Sequence, residues 1–201
     1  MSETGLPTVD GTDGLPRCPW GAEPAMVAYH DTEWGHELYD DVALYERMSL
    51  EAFQSGLSWA IILRKREGFR SAFAHFDPVA VAGFGPSDVA RLLADADIVR
   101  NRLKIEATIH NARMLVDLDT SLSDLLWSFA PLNHPAPRSL ADVPGNTPES
   151  TAMAKELKRR GFRFVGPTTA YALMQATGMV DDHLSGCAFR VRSHEAHQPH
   201  P

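Results

Sequence analysis

From Asp41 to Arg66 the apolar residues Leu44, Met48, Leu50, Phe53, Leu57, Ile61 and Ile62 recur at about 3.6-residue intervals, the period that lays one stripe along an α-helix. Ile105, Ile109, Ala112 and Leu115 mark one side of a second long helix over Val99 to Leu118. Further helices are expected after Asp77-Pro78, from Ser87 to Ala94 with Ser87 as N-cap, from Ser121 to Phe129, from Ser150 to Arg160 and from Thr168 to Thr177. Nowhere does a run of alternating Val, Ile and Thr, bounded by hairpin turns, offer a sheet. The chain therefore reads as all-α. Pro131 to Pro148 holds five prolines and is expected to be a loop.

At 201 residues and 44% hydrophobic content the chain has enough apolar material for one domain. No stretch approaches the length of apolar sequence that a membrane span needs. The first residues carry no basic segment followed by an apolar one, so no secretory signal is expected, and a cytoplasmic monomer without membrane attachment is. Residues 1–15 and 191–201 lack periodicity and are expected to be disordered, the second ending in three histidines. That leaves 16–190 as the domain. The net charge of -7 argues against a coat for nucleic acid in general and leaves room for a local basic patch. Cys18 and Cys187 are the two cysteines, and without export they are expected to stay reduced.

The basic patch is KELKRRGFR, from Lys155 to Arg163, with five positive charges against one negative. It joins two predicted helices. Lys158, Arg159 and Arg160 suit the negative end of the first helix. Gly161 suits the residue after its cap, and Phe162 and Val165 can turn a hairpin inward. Gly166 allows close approach of another molecule, and Pro167 suits the first turn of the second helix. Thr168 and Thr169 add hydroxyls beside free N–H groups. Two readings fit: an ordinary helical corner with a solvated basic face, or a helix–hairpin–helix that holds a phosphate backbone.

Cys18 stands twelve residues before His30, and His183 four residues before Cys187. Two such half-sites make the Cys₂His₂ set that zinc takes in a closed tetrahedron, and a metal there would staple the two ends of the domain. Two buried thiols with two unrelated histidines are the other reading.

Glu51 sits in an otherwise apolar run, SLEAFQSGLSW. On a continuous helix Glu51, Gln54/Ser55 and Ser58/Trp59 would fall on neighbouring faces. The stripe is either a solvated face or a carboxylate meeting a ligand, since a carboxylate in apolar surroundings must be paired, protonated or bound. Tyr29, Trp20 and Trp34 can be core aromatics, or flat faces for a cationic ligand.

Arg17-Cys18-Pro19-Trp20, Ala28-Tyr29-His30-Asp31-Thr32-Glu33-Trp34-Gly35, Leu50-Glu51 with Ser55-Gly56-Leu57-Ser58-Trp59, Phe76-Asp77-Pro78, Asn101-Arg102-Leu103-Lys104-Ile105, Trp127-Ser128-Phe129, Gly161-Phe162-Arg163-Phe164-Val165-Gly166 and Asp182-His183-Leu184-Ser185-Gly186-Cys187 follow one another in this order. Together they resemble the DNA-3-methyladenine glycosylase I family, the constitutive bacterial alkylation-repair glycosylases, over about residues 16–189. The resemblance implies a helical fold of the helix–hairpin–helix glycosylase superfamily. It implies one structural zinc on Cys18, His30, His183 and Cys187, and a pocket for the methylated base lined by Glu51, Tyr29 and Trp59. Met26 departs from the pattern, because the family carries a tyrosine there; methionine keeps the bulk and loses the flat face and the hydroxyl.

The implied reaction is hydrolysis of the N-glycosidic bond of 3-methyladenine in alkylated double-stranded DNA, with release of the free base. A base methylated at N3 is already cationic and a good leaving group, so extrusion and selective binding matter more than acid catalysis. Glu51 is expected to read the base. Lys158, Arg159, Arg160, Gly161, Arg163, Gly166, Thr168 and Thr169 are expected on the DNA. Asp181 and Asp182 lie near the superfamily's aspartate position, but beside His183 they suit support of a metal ligand. No lysine stands in a nucleophile motif, so no lyase step is expected. The alternatives are a non-catalytic, zinc-stapled DNA-binding module and a related glycosylase for another lesion.

Overall fold

Short polar side chains start most of the helices. Asp40 accepts from the Ala43 N–H at 2.8 Å and opens Asp41–Gln54. Asp77 accepts from Val79 and opens Pro78–Ala82, with proline in the first turn. Asn101 accepts from Lys104, Ser121 from Asp124 and Thr147 from Ser150, at the starts of Arg102–Val116, Leu122–Trp127 and Pro148–Arg159. Each cap satisfies an N–H that the helix cannot. The computed structural model describes residues 8–191. In chain order its helices are α1 (Val27–Thr32), α2 (Asp41–Gln54), α3 (Trp59–Ala72), α4 (Pro78–Ala82), α5 (Pro86–Ala94), α6 (Arg102–Val116), α7 (Leu122–Trp127), α8 (Pro148–Arg159) and α9 (Pro167–Ala176). The strands among the described residues are β1 (Val9–Asp10) and β2 (Pro16–Arg17), paired antiparallel with Val9 opposite Arg17. No helix among the described residues is long and apolar enough to cross a membrane.

The single helix expected over Asp41 to Arg66 is two helices. Gly56 takes φ 84, a left-handed angle that ends α2, and the Leu57 N–H turns back to the Gln54 carbonyl. Trp59 therefore opens a new helix, and the stripe drawn from Glu51 to Trp59 does not exist. The cap expected at Ser87 also moves: α5 starts at Pro86 after Gly85, and Asp88 accepts from the Gly85 N–H at 3.0 Å. Residues 8–15, expected to be disordered with the rest of the lead, form β1 and the turn into β2. Residues 1–7 and the tail from 192 lie outside the described residues.

The described chain divides into two units. The first takes residues 8–37, 130–145 and 174–191, and the second 38–129 and 146–173. In the second unit Phe53, Phe69, Phe73 and Phe76 are fully buried, and their rings meet at 4.7 Å (Phe53–Phe69) and 5.6 Å (Phe73–Phe76). Leu44, Met48, Ile62 and Ile105 complete that core, and the buried Tyr45 hydroxyl donates to the Thr108 carbonyl at 2.8 Å. Burying aromatic and aliphatic side chains of this size gives roughly 1.5–3 kcal/mol each before entropy is subtracted.

Candidate functional site

In the first unit the two ends of the described chain meet around buried thiols. Cys18 precedes a single 3-10 turn, His30 lies in α1, and Cys187 and His183 lie in the irregular segment after α9. Ligand atoms of Cys18, His30 and Cys187 all fall within 4.8 Å of one another. The Cys187 sulfur is 3.7 Å from His30 Nε2. His183, the fourth expected ligand, is adjacent: its ring centroid is 4.6 Å from that of His30, and its Nε2 is 3.2 Å from the His30 carbonyl oxygen. The cysteines are free, as expected, and both are buried.

Support for the histidines repeats itself. His30 Nδ1 lies 2.7 Å from Asp31, and His183 Nδ1 lies 2.7 Å from Asp181. An ionised carboxylate only accepts, so each Nδ1 carries the hydrogen and each Nε2 is left for a metal. Asp31 is held further by the buried Arg17, which also pairs with Asp13 of the β1–β2 turn. Against the effect of its own burial, Arg17 and then His30 keep Asp31 below the usual carboxylate range. The Leu184 N–H donates to the Cys18 sulfur at 3.4 Å. Cys18 in turn donates to Cys187, which lowers the Cys187 thiol against the effect of its burial and pushes Cys18 up.

The donors fit a metal. Neutral His183 would point a lone pair at the His30 carbonyl, and a cation relieves that contact. Gly21 leaves the space in which the His30 ring lies; a Cβ there would overlap the ring. Trp20 meets His30 edge-on at 4.9 Å and Trp34 meets His183 at 4.7 Å. Trp20 and Trp34 thus cover the histidines. Asp182 accepts from His134 at 2.6 Å and Gln175 at 2.7 Å.

Tyr29, on α1 of this unit, is buried, as is Met26 one residue before the helix. Glu51 and Trp59 belong to the second unit. Glu51 lies near the end of α2 with 5% of its surface exposed, between the fully buried Leu50 and Phe53. It makes no hydrogen bond among the described residues. Burial pushes its carboxyl up to about 8, against the opposing pull of the Arg47 charge. Trp59, half-buried, is the first residue of α3. The turn between them is anchored from α6: buried Lys104 donates to the carbonyls of Phe53 at 2.9 Å and Ser55 at 2.6 Å. Lys104 was legible only as part of a motif; nothing in its spacing tells that its ammonium caps α2.

The basic segment is the link between α8 and α9. Gly161 takes φ 93, the Phe162 N–H returns to the Leu157 carbonyl and the Gly161 N–H to that of Lys158, which is a complete glycine-terminated helix end. Asn111 grips the link, accepting from the Arg163 N–H at 2.8 Å and donating to the Arg163 carbonyl at 3.0 Å, and His110 bonds the Gly161 carbonyl at 2.9 Å. Gly166 and Thr168 are exposed. The Gly166 carbonyl receives the Ala170 N–H, so the Thr168 and Thr169 N–H groups lie ahead of the first bond of α9. The cations are not equivalent. Arg159 and Arg160 both bind Glu156, and Arg160 also binds Asp119. Arg159 and then Arg160 hold the Glu156 carboxyl down to about 2. Exposed Lys158 and Arg163 form no ion pair among the described residues.

The model of the methyladenine glycosylase family matches residues 20–191. DNA-3-methyladenine glycosylase 1 of Escherichia coli (strain K12) is 44% identical over 181 residues, covering 86% of this chain and 96% of its own. The DNA-3-methyladenine glycosylase of Haemophilus influenzae (strain ATCC 51907 / DSM 11121 / KW20 / Rd) is 42% identical over 85% of this chain and 96% of its own. A crystal structure of a Tyr-to-Phe variant of 3-methyladenine DNA glycosylase I in complex with 3-methyladenine superposes with a TM-score of 0.83 at 33% identity, over 89% of this chain and 99% of that one. With most of its length matched by the family model and by both relatives, the chain belongs to the methyladenine glycosylase family.

Proposed function

We propose that the protein is a monofunctional DNA-3-methyladenine glycosylase, which extrudes the methylated nucleotide from alkylated duplex DNA, hydrolyses its N-glycosidic bond and leaves an abasic site. The observation that carries this, beside family membership, is Glu51: a buried carboxyl without a hydrogen-bond partner among the described residues. A cationic base supplies what Glu51 lacks. It offers edge donors and a positive charge that favours ionisation of the carboxyl, in surroundings where charge-assisted hydrogen bonds are strong. Trp59 serves as a stacking face, and Tyr29 keeps the role the resemblance implies. On cleavage the bonding pair stays with the base, which leaves neutral while positive charge moves to the sugar, so Glu51 speeds the step only as far as it holds the departing base more tightly than the attached one.

Cys18, His30, His183 and Cys187 would hold one zinc. With four protein ligands it contributes structure and leaves no position for a reacting water. α8, its link and α9 serve as the helix–hairpin–helix, with phosphates met by the N–H groups of Gly166, Thr168 and Thr169. Lys158 and Arg163 assist directly; Gly161 shapes the link, and Arg159 and Arg160, tied to acids, add less. The domain is residues 16–190 together with the β1 strand and turn at 8–15 that pair with it, acting as a monomer in the cytoplasm.

The test is incubation with duplex DNA methylated by a simple alkylating agent, followed by separation of the released bases. Free 3-methyladenine is the expected main product. Binding to the DNA without release of any base would mean a non-catalytic module, and release of another base alone would mean a different lesion.

A further inference from the structure

Phe164 stands at the outer bend of the α8–α9 link with φ 57, the left-handed region that a phenylalanine enters only at a cost in energy. Its side chain is 43% exposed, and its ring meets no other ring among the described residues. An exposed apolar ring in a strained backbone gains the fold little. Yet the chain leading into the bend is fixed, by Asn111 through both backbone groups of Arg163 and by His110 at Gly161. Unpaired Arg163 is its neighbour, and unpaired Lys158 is on the preceding helix end.

We propose that Phe164 is a DNA-contacting residue whose ring packs on the deoxyribose of the nucleotide whose phosphate the start of α9 holds. The proposal rests on the reading of this link as the DNA-binding hairpin. Charge complementarity selects the partner: the unpaired Arg163 next to the ring and Lys158 on the helix end before it fit a polyanion and suit neither a neutral protein face nor a second copy of this basic link. Reach selects the sugar. Phe164 is two residues before Gly166, about 7 Å along an extended chain. A phosphate held at Gly166 and Thr168 therefore brings its own sugar to the ring, while the middle of the base stack stays beyond it. Such a contact adds apolar burial without reading sequence.

The experiment uses the full chain with Phe164→Gly and Phe164→Leu, undamaged duplex over a range of salt concentrations, and thermal unfolding. Glycine relieves the left-handed strain while it loosens the unfolded chain, and the two effects offset. Phe164→Gly should unfold within about 3 °C of the parent and bind duplex at least about fivefold more weakly, with an unchanged salt slope because no cation is lost. Phe164→Leu should recover part of the affinity. Parent affinity in Phe164→Gly overturns the proposal, as does a large fall in its unfolding temperature, which would make the ring a packing residue. An unstacking signal from 2-aminopurine in the bound duplex that disappears in Phe164→Gly also overturns it, since the ring would then enter the stack. Lys158→Glu with Arg163→Glu separates the two levels. If that double variant binds like the parent, the hairpin reading itself fails. If it binds weakly while Phe164→Gly binds normally, only the role of Phe164 fails.

Discussion

Glu51→Gln should stabilise the protein, and by an amount that grows with pH. Glu51 titrates near 8 in the fold and at 4.5 in the unfolded chain. Below pH 4.5 the carboxyl is protonated in both states and its titration costs nothing. As pH rises from 4.5 towards 8 the unfolded chain loses the proton while the fold keeps it, so the unfolded state gains and stability falls. Above about 8 both states are ionised, and the full cost of a buried charge is present. At about 1.4 kcal/mol per pH unit the total cost is on the order of 5 kcal/mol, and about 4 kcal/mol is already lost at pH 7.5. Glutamine fills the same space and does not titrate. Its amide carries a burial cost of its own, but one that does not change with pH. The measurement is urea unfolding of parent and variant at pH 5, 6.5 and 8. The stability of the variant relative to the parent should rise by several kcal/mol across that series. A difference that stays flat would show that Glu51 is already ionised in the fold at pH 5, which would refute the burial argument. Release of 3-methyladenine should fall in the same variant, as expected where activity is kept at the expense of stability.

Lys104→Met keeps the length of the side chain but leaves the Phe53 and Ser55 carbonyls without their ammonium. It should cost about 2–3 kcal/mol in urea unfolding, as charged hydrogen bonds do, and a smaller loss would mean that water takes over at the end of α2. Metal analysis should find one zinc per chain; Cys187→Ser should lose it and unfold well below the parent temperature, while the ratio of bases released by the residual activity stays the same. Lys158→Glu with Arg163→Glu should reduce affinity for every duplex and flatten the salt slope by about two. Arg159→Glu with Arg160→Glu should do less, since their charges already serve Glu156 and Asp119; the reverse order would place the phosphates along the side of α8.

The features legible in the sequence were those written in local chemistry. Helix periods are decided by neighbours within four residues, and α6, α7, α8 and α9 fall within a few residues of where the pattern put them, although the one cap named, Ser87, gave way to Gly85. The apolar repeat failed across Ser55–Ser58 because it continues in register through a break. Leu57 fits the helical pattern, yet it is an exposed turn residue, and Gly56 outweighs the period. The caution due to an isolated glycine inside a helical pattern applied there. β1 was invisible because two residues make no alternation; Arg17, bridging Asp13 and Asp31, ties that hairpin to the cysteine cluster.

For the candidate site the division is between residue type and partnership. Two Cys–His half-sites can be seen in a sequence because metal ligands are few in kind, and Asp31 and Asp181 stand next to or near the histidines they orient. Charge is different. The run from Lys155 to Arg163 counts as one basic patch, but in the fold Glu156 and Asp119 take two of its arginines, and Asp119 comes from 41 residues away from Arg160. An ion pair already made inside the protein must be broken, or its acid carried along, before the same cation can release counterions from DNA. The usable charge of the link is therefore smaller than its composition and lies at Lys155, Lys158 and Arg163, of which Lys158 and Arg163 stand on either side of Gly161. That narrows where a phosphate can sit, and it places the bend at Phe164 beside the charge that remains available.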